Sequence, residues 1–314
     1  MYKVFFGVVL IFAFTANNAK SQPVTPSEVR FHGAFVEKFE EPKLEFFNPN
    51  FRQNREDNSF PEDNRYHFSQ KIAAKPEDGA KVMVLRLDPE DPAGAGLGPE
   101  IISKDFTHFG SYSIRLKVPD VVGVQPNVGA VVGYFTYHMD RNVGLSEVDF
   151  EWLIADPEII YVGTWTGPSG NLQRIGRTIN MAKGIIYSTS YRVESRDGSR
   201  RNERGNLTGE QNQPETIQPI ENFNAALQFY TYGFDWYPDR IIFWMIHPVT
   251  ENKIVLWDYT GSTPTFTGIP QNHTHYRVNF WHTNNWSVET NQNSVEKPLY
   301  PYEVEIDWIS YTPF

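Results

Sequence analysis

The sequence predicts an all-β protein, built as an antiparallel sandwich or jelly roll. Short segments alternate between apolar and polar residues, and Gly, Pro, Asn and Asp separate them, as in strands joined by turns. No stretch shows a sustained 3.6-residue period with helix caps. Many short strands in succession are typical of sandwiches and jelly rolls. The segments predicted to be strands are, in order, "SYSIRLKVP" (111–119), "GAVVGYFTYHM" (129–139), "SEVDFEWL" (146–153), "IIYVGTWTG" (159–167), "FYTYGFDWYP" (229–238), "RIIFWMI" (240–246), "HYRVNFWHT" (275–283) and "YEVEIDWISYT" (302–312).

The first segment of the chain predicts export. Lys3 gives a basic start, residues 4–16 form an apolar run, and small residues follow. This is the pattern of a secretory signal peptide, here residues 1–21, that is removed from the mature protein. A membrane anchor is the alternative, but the run is shorter than the roughly 20 residues that span a bilayer. We expect a secreted protein, extracellular or periplasmic, with residues 22–314 as a single jelly-roll domain.

The composition limits both the partners and the sources of stability. The chain has no cysteine, which excludes disulfides and thiolate metal sites, so stability must come from the core. The formal net charge of −10 argues against a nucleic-acid partner, because phosphate binding needs a basic patch. Aromatic residues make up 15% of the chain, an excess that suits a surface on which sugar rings stack. We expect a monomer that binds a polysaccharide.

One long polar segment, residues 192–222, interrupts the series of strands. It is rich in charge and nearly free of large apolar residues, which predicts a long surface loop. Its arginines could contact an anionic polysaccharide; the alternative is a solvated loop in which interleaved acidic residues neutralise them. These arginines are Arg192, Arg196, Arg200, Arg201 and Arg204.

The segment "SEVDFEWL" places Glu147, Asp149 and Glu151 at every second position, with large apolar residues between them. Residues i, i+2 and i+4 of a strand share one face, so the three acids project together while their neighbours enter the core. The apolar face fixes the register, since a slip of one residue would bury three charges. A rigid strand therefore presents the three carboxylates.

Several interpretations of this strand remain open from its spacing alone. The acids could be the solvated side of an edge strand, a calcium site, or partners of basic residues on neighbouring strands. Oxygen ligands of calcium usually come from loops that wrap the ion. Glycoside hydrolysis would use the arrangement differently, with one ionised carboxylate and one protonated carboxyl on either side of the scissile bond. Crowded negative charge would keep a proton on one of them.

The motif "EVDFE" (147–151) resembles the active-site signature of glycoside hydrolase family 16, in the form without an extra bulge residue. That form is typical of lichenase-type β-1,3-1,4-glucanases and xyloglucan-active enzymes. The similarity continues, in the family's order, through residues 108–119, 129–138, 223–245, 278–286 and 304–312.

The resemblance implies a concanavalin-like β-jelly roll, with two curved antiparallel sheets and an open cleft. It also implies a retaining endo-glycosidase that needs no cofactor for catalysis. By position in the motif, Glu147 is the nucleophile, Asp149 holds it by hydrogen bonding, and Glu151 is the acid/base.

The resemblance also carries over several residues as substrate contacts. Asn279 and Trp281 match an Asn-x-Trp pair that lines lichenase-type clefts, and Tyr137 occupies a matching position. Trp165 stands where that group carries a Tyr, and Trp286 is expected at the rim of the cleft. Core packing is the alternative for any of these rings.

Three positions qualify the resemblance. Lichenase-type enzymes carry a Trp just before the signature, where this chain has Leu145 and Ser146, and Gly163 stands where they have a cleft Asn. Asp307 matches the ligand of a structural calcium ion on the family's convex face. Such an ion would stabilise the fold and take no part in the chemistry.

The sequence thus predicts a secreted retaining endo-β-glycosidase acting on a β-glucan, with β-1,3-1,4-glucan favoured. Alternatives within the family are a xyloglucan or galactan hydrolase of the agar or carrageenan type, and a transglycosylase. Outside the enzyme class, a carbohydrate-binding jelly roll without activity and a structural cell-surface protein remain; a binding module has no need of two glutamates within reach of one bond.

Overall fold

A computed structural model gives the structure of the chain. The predicted signal peptide, residues 1–21, lies outside the residues that the structure describes, which are 29–39, 41, 43–51, 66–70, 81–91, 93–94, 97–121, 129–195, 204–261, 268–283, 286 and 300–314. Among these residues, no helix has the length and apolar composition that crossing a bilayer requires.

The described residues form strands and one turn of 3₁₀ helix, Gly209–Asn212. The strands are, in chain order, β1 (Phe35–Glu37), β2 (Phe47–Phe51), β3 (Tyr66–Gln70), β4 (Lys81–Leu87), β5 (Pro99–Ser103), β6 (Gly110–Lys117), β7 (Ala130–Asp140), β8 (Gly144–Leu153), β9 (Ile159–Gly167), β10 (Asn171–Asn180), β11 (Ile185–Ser195), β12 (Arg204–Asn206), β13 (Tyr230–Trp236), β14 (Ile241–Ile246), β15 (Lys253–Tyr259), β16 (His275–His282) and β17 (Tyr302–Pro313).

These strands make two antiparallel sheets. One has the order β15-β14-β13-β6-β17-β4-β3, with β1 paired to β17, and the other has the order β12-β11-β10-β9-β8-β7-β16-β5-β2. The structure confirms the all-β jelly-roll prediction, and each of the eight predicted strand segments forms a strand. Neighbours in the sheets are often distant in sequence, since β16 lies between β5 and β7.

The core lies between the two sheets and is rich in aromatic rings. On β8, Val148, Phe150 and Trp152 are fully buried. The ring of Phe150 lies 5.9 Å from Tyr232 on β13 and 5.8 Å from Phe243 on β14, both in the opposite sheet. Because these side chains fill the inner face, the other face of β8 must point away from the core.

The predicted loop over residues 192–222 differs from the structure at its beginning and middle. Residues 192–195 continue β11, where Arg192 is paired with Arg174 of β10, and β12 pairs with β11 in turn. Residues 196–203 lie outside the described part, and residues 213–222 follow the 3₁₀ turn without forming a strand or helix. The prediction was wrong for β11 and β12 because polar side chains on these strands resemble a loop in composition.

Candidate active site

Three acidic residues share the outer face of β8, the central strand of the nine-stranded sheet. Glu147, Asp149 and Glu151 alternate with the three core residues of the same strand, as the sequence predicts. Glu147 is 9% exposed and Asp149 is 8% exposed, and Glu151 is intermediate. Their neighbours are β7 on one side and β9 on the other, so the acids lie in the middle of the sheet and not at its edge. This excludes the edge-strand interpretation.

The three carboxyl groups of this strand form no contacts that would hold the fold together. No carboxyl oxygen of Glu147, Asp149 or Glu151 forms a hydrogen bond or ion pair with the described residues. None of these oxygens is fully buried without a hydrogen-bond partner, so each is accessible to solvent or to a ligand. The predicted hydrogen bond from Asp149 to the nucleophile is therefore not formed in this structure. Side chains on the same face of a strand project in parallel, so two of these carboxyl groups can touch only if their side chains bend toward each other.

Two aromatic residues flank Glu147 directly. Tyr137 on β7 and Trp165 on β9 are its register partners, and both are intermediate in exposure. Side chains at such paired positions have Cβ atoms about 4.5–5.5 Å apart. The structure therefore brings these two predicted contacts beside the predicted nucleophile.

On the β9 side of Asp149 the face of the sheet carries no side chain, whereas Phe135 is its register partner on β7. Its register partner on β9 is Gly163, which pairs with Gly176 on β10. A Cβ atom at Gly163 would lie 2.5 Å from the carbonyl oxygen of Ile175, so a side chain there requires a backbone shift. The glycine that stands in place of a lichenase cleft Asn therefore reflects close backbone approach. Because Gly163 has no side chain, the backbone of β9 is accessible beside the acidic residues.

Two arginines that were not predicted as site residues lie on the same face as the carboxylates. The Arg174 guanidinium carbon lies 5.7 Å from the ring centroid of Trp165, and that of Arg277 lies 5.1 Å from Tyr137. Arg277 also donates to Glu100 at 3.1 Å. Arg277 precedes Asn279 and Trp281 by two and four residues on β16 and so shares their face, which means that the sequence alone could have predicted it as a site residue. Arg174 could be found only from the register of β9 and β10.

Burial raises the pKa of every carboxyl in this group, and repulsion between carboxylates adds to the shift for Glu147 and Asp149. Desolvation is the main cause, and it raises the pKa of Glu147 to about 8 and that of Glu151 to about 7. The pKa of Asp149 is raised well above its usual value by burial and by the two glutamates. Arg174 opposes the shift for all three, and Arg277 does so for Glu147.

These raised pKa values mean that the group retains protons at neutral pH, as a general acid requires. The higher value falls on Glu147, which must be ionised to act as a nucleophile. The order of the two values does not assign the roles, because whichever carboxyl ionises first raises the pKa of the other. The assignment of nucleophile and acid rests on position in the motif.

The raised pKa values predict that Glu147→Gln stabilises the protein at alkaline pH. A carboxyl whose pKa is higher folded than unfolded contributes stability that is complete below pH 4.5 and lost as the pH rises through about 8. An amide does not pay this desolvation cost of a charge. We expect the variant to be more stable than the wild type by about 1–3 kcal/mol at pH 8.5, and equal to it at pH 4.

Urea denaturation of both proteins at the two pH values measures this difference. Glu221 is exposed, and Glu221→Gln serves as a control that should change stability at neither pH. If Glu147→Gln is less stable than the wild type at pH 8.5, the claim that ionisation of buried Glu147 destabilises the fold is refuted.

Asn279 lies on the same face, two strands from β8. It pairs with Gly133 of β7, and Gly133 pairs with Glu151. Its Oδ1 atom is buried over Gly133 without a hydrogen-bond donor, and the residue is 8% exposed. Buried amide oxygens are normally bonded, so the fold's own hydrogen bonds do not explain this side chain. The structure thus places Asn279 near the predicted acid.

Trp281, which the resemblance places in the cleft, is largely buried in this structure, and its contact with substrate stays a prediction. Trp281 is only 6% exposed and belongs to the hydrophobic core. Its end of β16 is approached by a segment far away in sequence, since Gly94 N donates to His282 O at 3.0 Å. A Cβ atom at Gly98 would lie 3.3 Å from Trp281 Cα. The segment around Gly94 and Gly98 therefore packs against the backbone at this end of β16.

Trp286 lies near the other glutamate. It is half-buried, and its ring meets that of Tyr161 edge-on at 4.6 Å between centroids. Tyr161 is the register partner of Glu151 on β9. The predicted rim residue is therefore linked to the Glu151 end of the face through Tyr161.

The contacts of Asp307 include a buried ion pair. Its Oδ2 atom accepts from Arg115 Nε at 2.8 Å, and the residue is 2% exposed. The described residues contain no group of three or more His, Asp or Glu side chains that could hold a metal ion. The Arg115 guanidinium neutralises this carboxylate, and the structural calcium ion that the resemblance implies at Asp307 stays a prediction.

Comparison with solved structures finds the same architecture in β-glucanases. A prokaryotic β-1,3-1,4-glucanase (lichenase) from a mouse hindgut metagenome has a TM-score of 0.50 and 15% identity, covering 90% of this chain and 100% of that one. A glycoside hydrolase family 16 protein of the Bacteroides ovatus mixed-linkage glucan system, in complex with its G4G4G3G product, has a TM-score of 0.51 and 11% identity, covering 88% and 99%. The catalytic domain of an endo-1,3-β-glucanase (laminarinase) from Thermotoga petrophila has a TM-score of 0.50 and 12% identity, covering 90% and 98%.

This chain has the fold of these glucanases. The names of the first two neighbours refer to β-1,3-1,4-linked (mixed-linkage) glucan and the name of the third refers to β-1,3-glucan, so likeness of fold does not select one substrate. Comparison with models of known protein families gives no match, and comparison with curated protein sequences gives none either. The fold is therefore established by structure, while the activity has to be argued from the face of β8.

Proposed function

We propose that this chain is a retaining endo-β-glycosidase that hydrolyses a β-glucan after export from the cell. The observation that carries the proposal is the set of three carboxyl groups on β8, at the centre of one sheet, that form no hydrogen bond or ion pair with the described residues; Glu147 among them lies between Tyr137 and Trp165. A surface that only binds sugars gains nothing from burying three like charges side by side, which is costly. A site that must hold and release protons at neutral pH does gain from it.

In the first step, an oxygen of ionised Glu147 attacks the anomeric carbon of the sugar bound over β8. The bond from that carbon to the leaving oxygen breaks, and Glu151 transfers its proton to this oxygen. A covalent ester joins the sugar to Glu147. Loss of the proton from Glu151 leaves a carboxylate that can act as a base in the second step.

In the second step, Glu151 takes a proton from a water molecule, whose oxygen attacks the anomeric carbon. The bond to Glu147 breaks, so the carboxylate is regenerated and the sugar is released with its original configuration. If a sugar hydroxyl replaces water, the same two glutamates carry out transglycosylation. Asp149 lies between them, and burial and the two glutamates raise its pKa well above its usual value, so a proton is favoured on Asp149 when Glu147 is ionised.

The surroundings of the carboxylates suit a sugar chain that crosses the strands. Trp165 and Tyr137 provide ring surface on either side of Glu147, and the glycines at 163 and 176 allow close approach to the backbone. A sugar hydroxyl is a donor of the kind that the unbonded Oδ1 atom of Asn279 lacks. A β-1,3-1,4-glucan is the preferred substrate of this proposal on the resemblance of the motif.

A panel of lichenan, laminarin, xyloglucan, agar and carrageenan tests the proposal. We expect internal cleavage of at least one polymer, measured as a fall in polymer size before small sugars accumulate. Proton NMR during the first minutes should show the β-anomer of the new reducing end before mutarotation.

A first-formed α-anomer would contradict the retaining mechanism. Binding of a polymer without any cleavage would favour a carbohydrate-binding module. Adding labelled oligosaccharide to the same reaction separates the two enzymatic outcomes, because a strict hydrolase incorporates no label and a transglycosylase does.

A further inference from the structure

Three arginines continue the row of residues that contains Glu147. Trp165 on β9 is paired with Arg174 on β10, Arg174 with Arg192 on β11, and Arg192 with Arg204 on β12. Neighbouring strands lie about 4.8 Å apart, so these positions extend from about 10 to about 19 Å from Glu147 across the sheet. The row runs in the direction that a sugar chain crossing the strands would follow.

The row places like charges side by side on three neighbouring strands. Like charges at directly paired positions of a sheet are destabilising, and Arg174, Arg192 and Arg204 occupy three such positions in succession. Arg174 forms no ion pair with any acidic residue in the described part of the chain. It lines the pocket on this face together with Asp149, Glu151 and Trp165.

The rest of this part of the face is polar and open. Ser188 and Ser190 on β11 line the same pocket as Arg174, and Ser190 is paired with Asn206 on β12. Arg192 is two residues from Ser190 on the same strand and is intermediate in exposure, while Arg204 is exposed. Hydroxyl, amide and guanidinium groups therefore lie together, without an apolar residue in the row beyond Trp165.

We propose that the face of β10–β12 binds an anionic substituent on the polysaccharide, a sulfate ester or a carboxylate. This rests on the proposed glycosidase activity but changes the preferred substrate from lichenan, which carries no such group, to a charged polysaccharide. The planar guanidinium group donates two parallel hydrogen bonds to an oxyanion, which gives both affinity and orientation. The chain as a whole has a net charge of −10, so recognition is local and does not depend on long-range attraction.

Binding measurements test this without requiring turnover. Affinity electrophoresis of the wild type and of Glu147→Ala uses carrageenan, the same polymer after chemical desulfation, polygalacturonate and lichenan. We expect binding to the sulfated or the carboxylated polymer to be at least about 10-fold tighter than to its uncharged counterpart, as for one or two charge-assisted contacts. The polymer whose binding depends on the arginines identifies the anion.

The double variant R192Q/R204Q should weaken that binding by at least about 10-fold. The matched control is R86Q/R240Q, which removes one positive charge from β4 and one from the residue before β14, both belonging to arginines that form an ion pair with an aspartate. We expect this control to change the affinity less than 2-fold. R192K/R204K, which keeps the charge but loses the bidentate geometry, should bind with intermediate affinity.

Three results would overturn the inference: equal affinity for charged and uncharged polymers, unchanged binding by R192Q/R204Q, or equal loss in both double variants. Thermal unfolding and lichenan binding report whether R192Q/R204Q is folded, and R192K/R204K replaces it if it is not. Arginine-dependent binding without cleavage of any polymer would refute the proposed hydrolase and leave the anion site standing. Cleavage of charged and uncharged polymers alike would refute the anion site and leave the proposed hydrolase standing.

Discussion

Replacing Glu147 with alanine is expected to lower kcat on the preferred polymer by at least about 10⁴-fold, as for the loss of a nucleophile in other covalent mechanisms. Without this carboxylate, no ester with the anomeric carbon forms. The side chain is 9% exposed and has no hydrogen-bond partner among the described residues, so its removal should leave the fold intact. Initial rates of reducing-end formation, with circular dichroism of the same samples, measure both quantities.

Azide distinguishes the two glutamates. In Glu147→Ala, azide can attack the anomeric carbon only from the side that the carboxylate has vacated, and the product is an α-glycosyl azide. In Glu151→Ala the ester still forms on substrates with good leaving groups, and azide displaces Glu147 to give a β-glycosyl azide. If Glu151→Ala gives the α product and Glu147→Ala the β product, the assigned roles are reversed.

The matched control for both variants is Glu210→Ala. Glu210 lies in the 3₁₀ turn and is exposed, so its removal should leave kcat within about 2-fold of the wild type. Full activity in Glu147→Ala would refute the proposed nucleophile, whatever the control shows.

The central strand of the site could be predicted from local sequence because its alternation is unambiguous. Val148, Phe150 and Trp152 have only one compatible face, and that choice places Glu147 and Glu151 on the other. Tyr137 and Trp165 were predicted from resemblance on the adjacent strands. Each of these predictions depends on a strand and its immediate neighbour.

The features that local sequence could not predict depend on contacts between distant segments. Trp281 has the same alternation as Asn279 but is buried, and a segment near Gly98 packs against its end of β16. Arg174 and Arg192 face each other through a pairing of two polar strands, one of which resembles a loop in composition. Polar strands lack the apolar period that reveals a strand, so their register emerges only from the three-dimensional structure.

Among the polar residues of the nine-stranded sheet, Arg177 is the one whose replacement we expect to lower the free energy of unfolding most. It lies on the inner face of β10, is 1% exposed, and burial lowers the pKa of its guanidinium to about 10. Its Nε donates to Thr189 Oγ1 at 3.0 Å, its Nη1 to the carbonyl oxygens of Pro214 and Leu256 at 2.9 Å each, and its Nη2 to Asn212 Oδ1 at 2.9 Å. These contacts join β10 to β11, to the segment after the 3₁₀ turn and to β15 in the other sheet.

Arg177→Met should therefore reduce the free energy of unfolding by about 3 kcal/mol, because buried acceptors are left without donors, each at a cost of about 1–3 kcal/mol. The variant recovers part of this because it no longer buries a charge. Urea denaturation measures the loss as a lower midpoint at an unchanged slope. Arg177→Lys should not restore the wild-type value, since one ammonium group cannot reach acceptors on three separate segments.

Arg240→Met is the matched control for the loss of a guanidinium group. Arg240 is 40% exposed and donates from Nε to Asp258 Oδ1 at 3.1 Å, and an exposed pair of this kind contributes less than about 1 kcal/mol. If Arg177→Met is as stable as the wild type, the hydrogen bonds of the buried guanidinium only balance its desolvation, as happens when some buried ion pairs are replaced by apolar residues. A loss confined to Arg177→Met would instead show that one side chain fastens β15 to the sheet that bears the carboxylates.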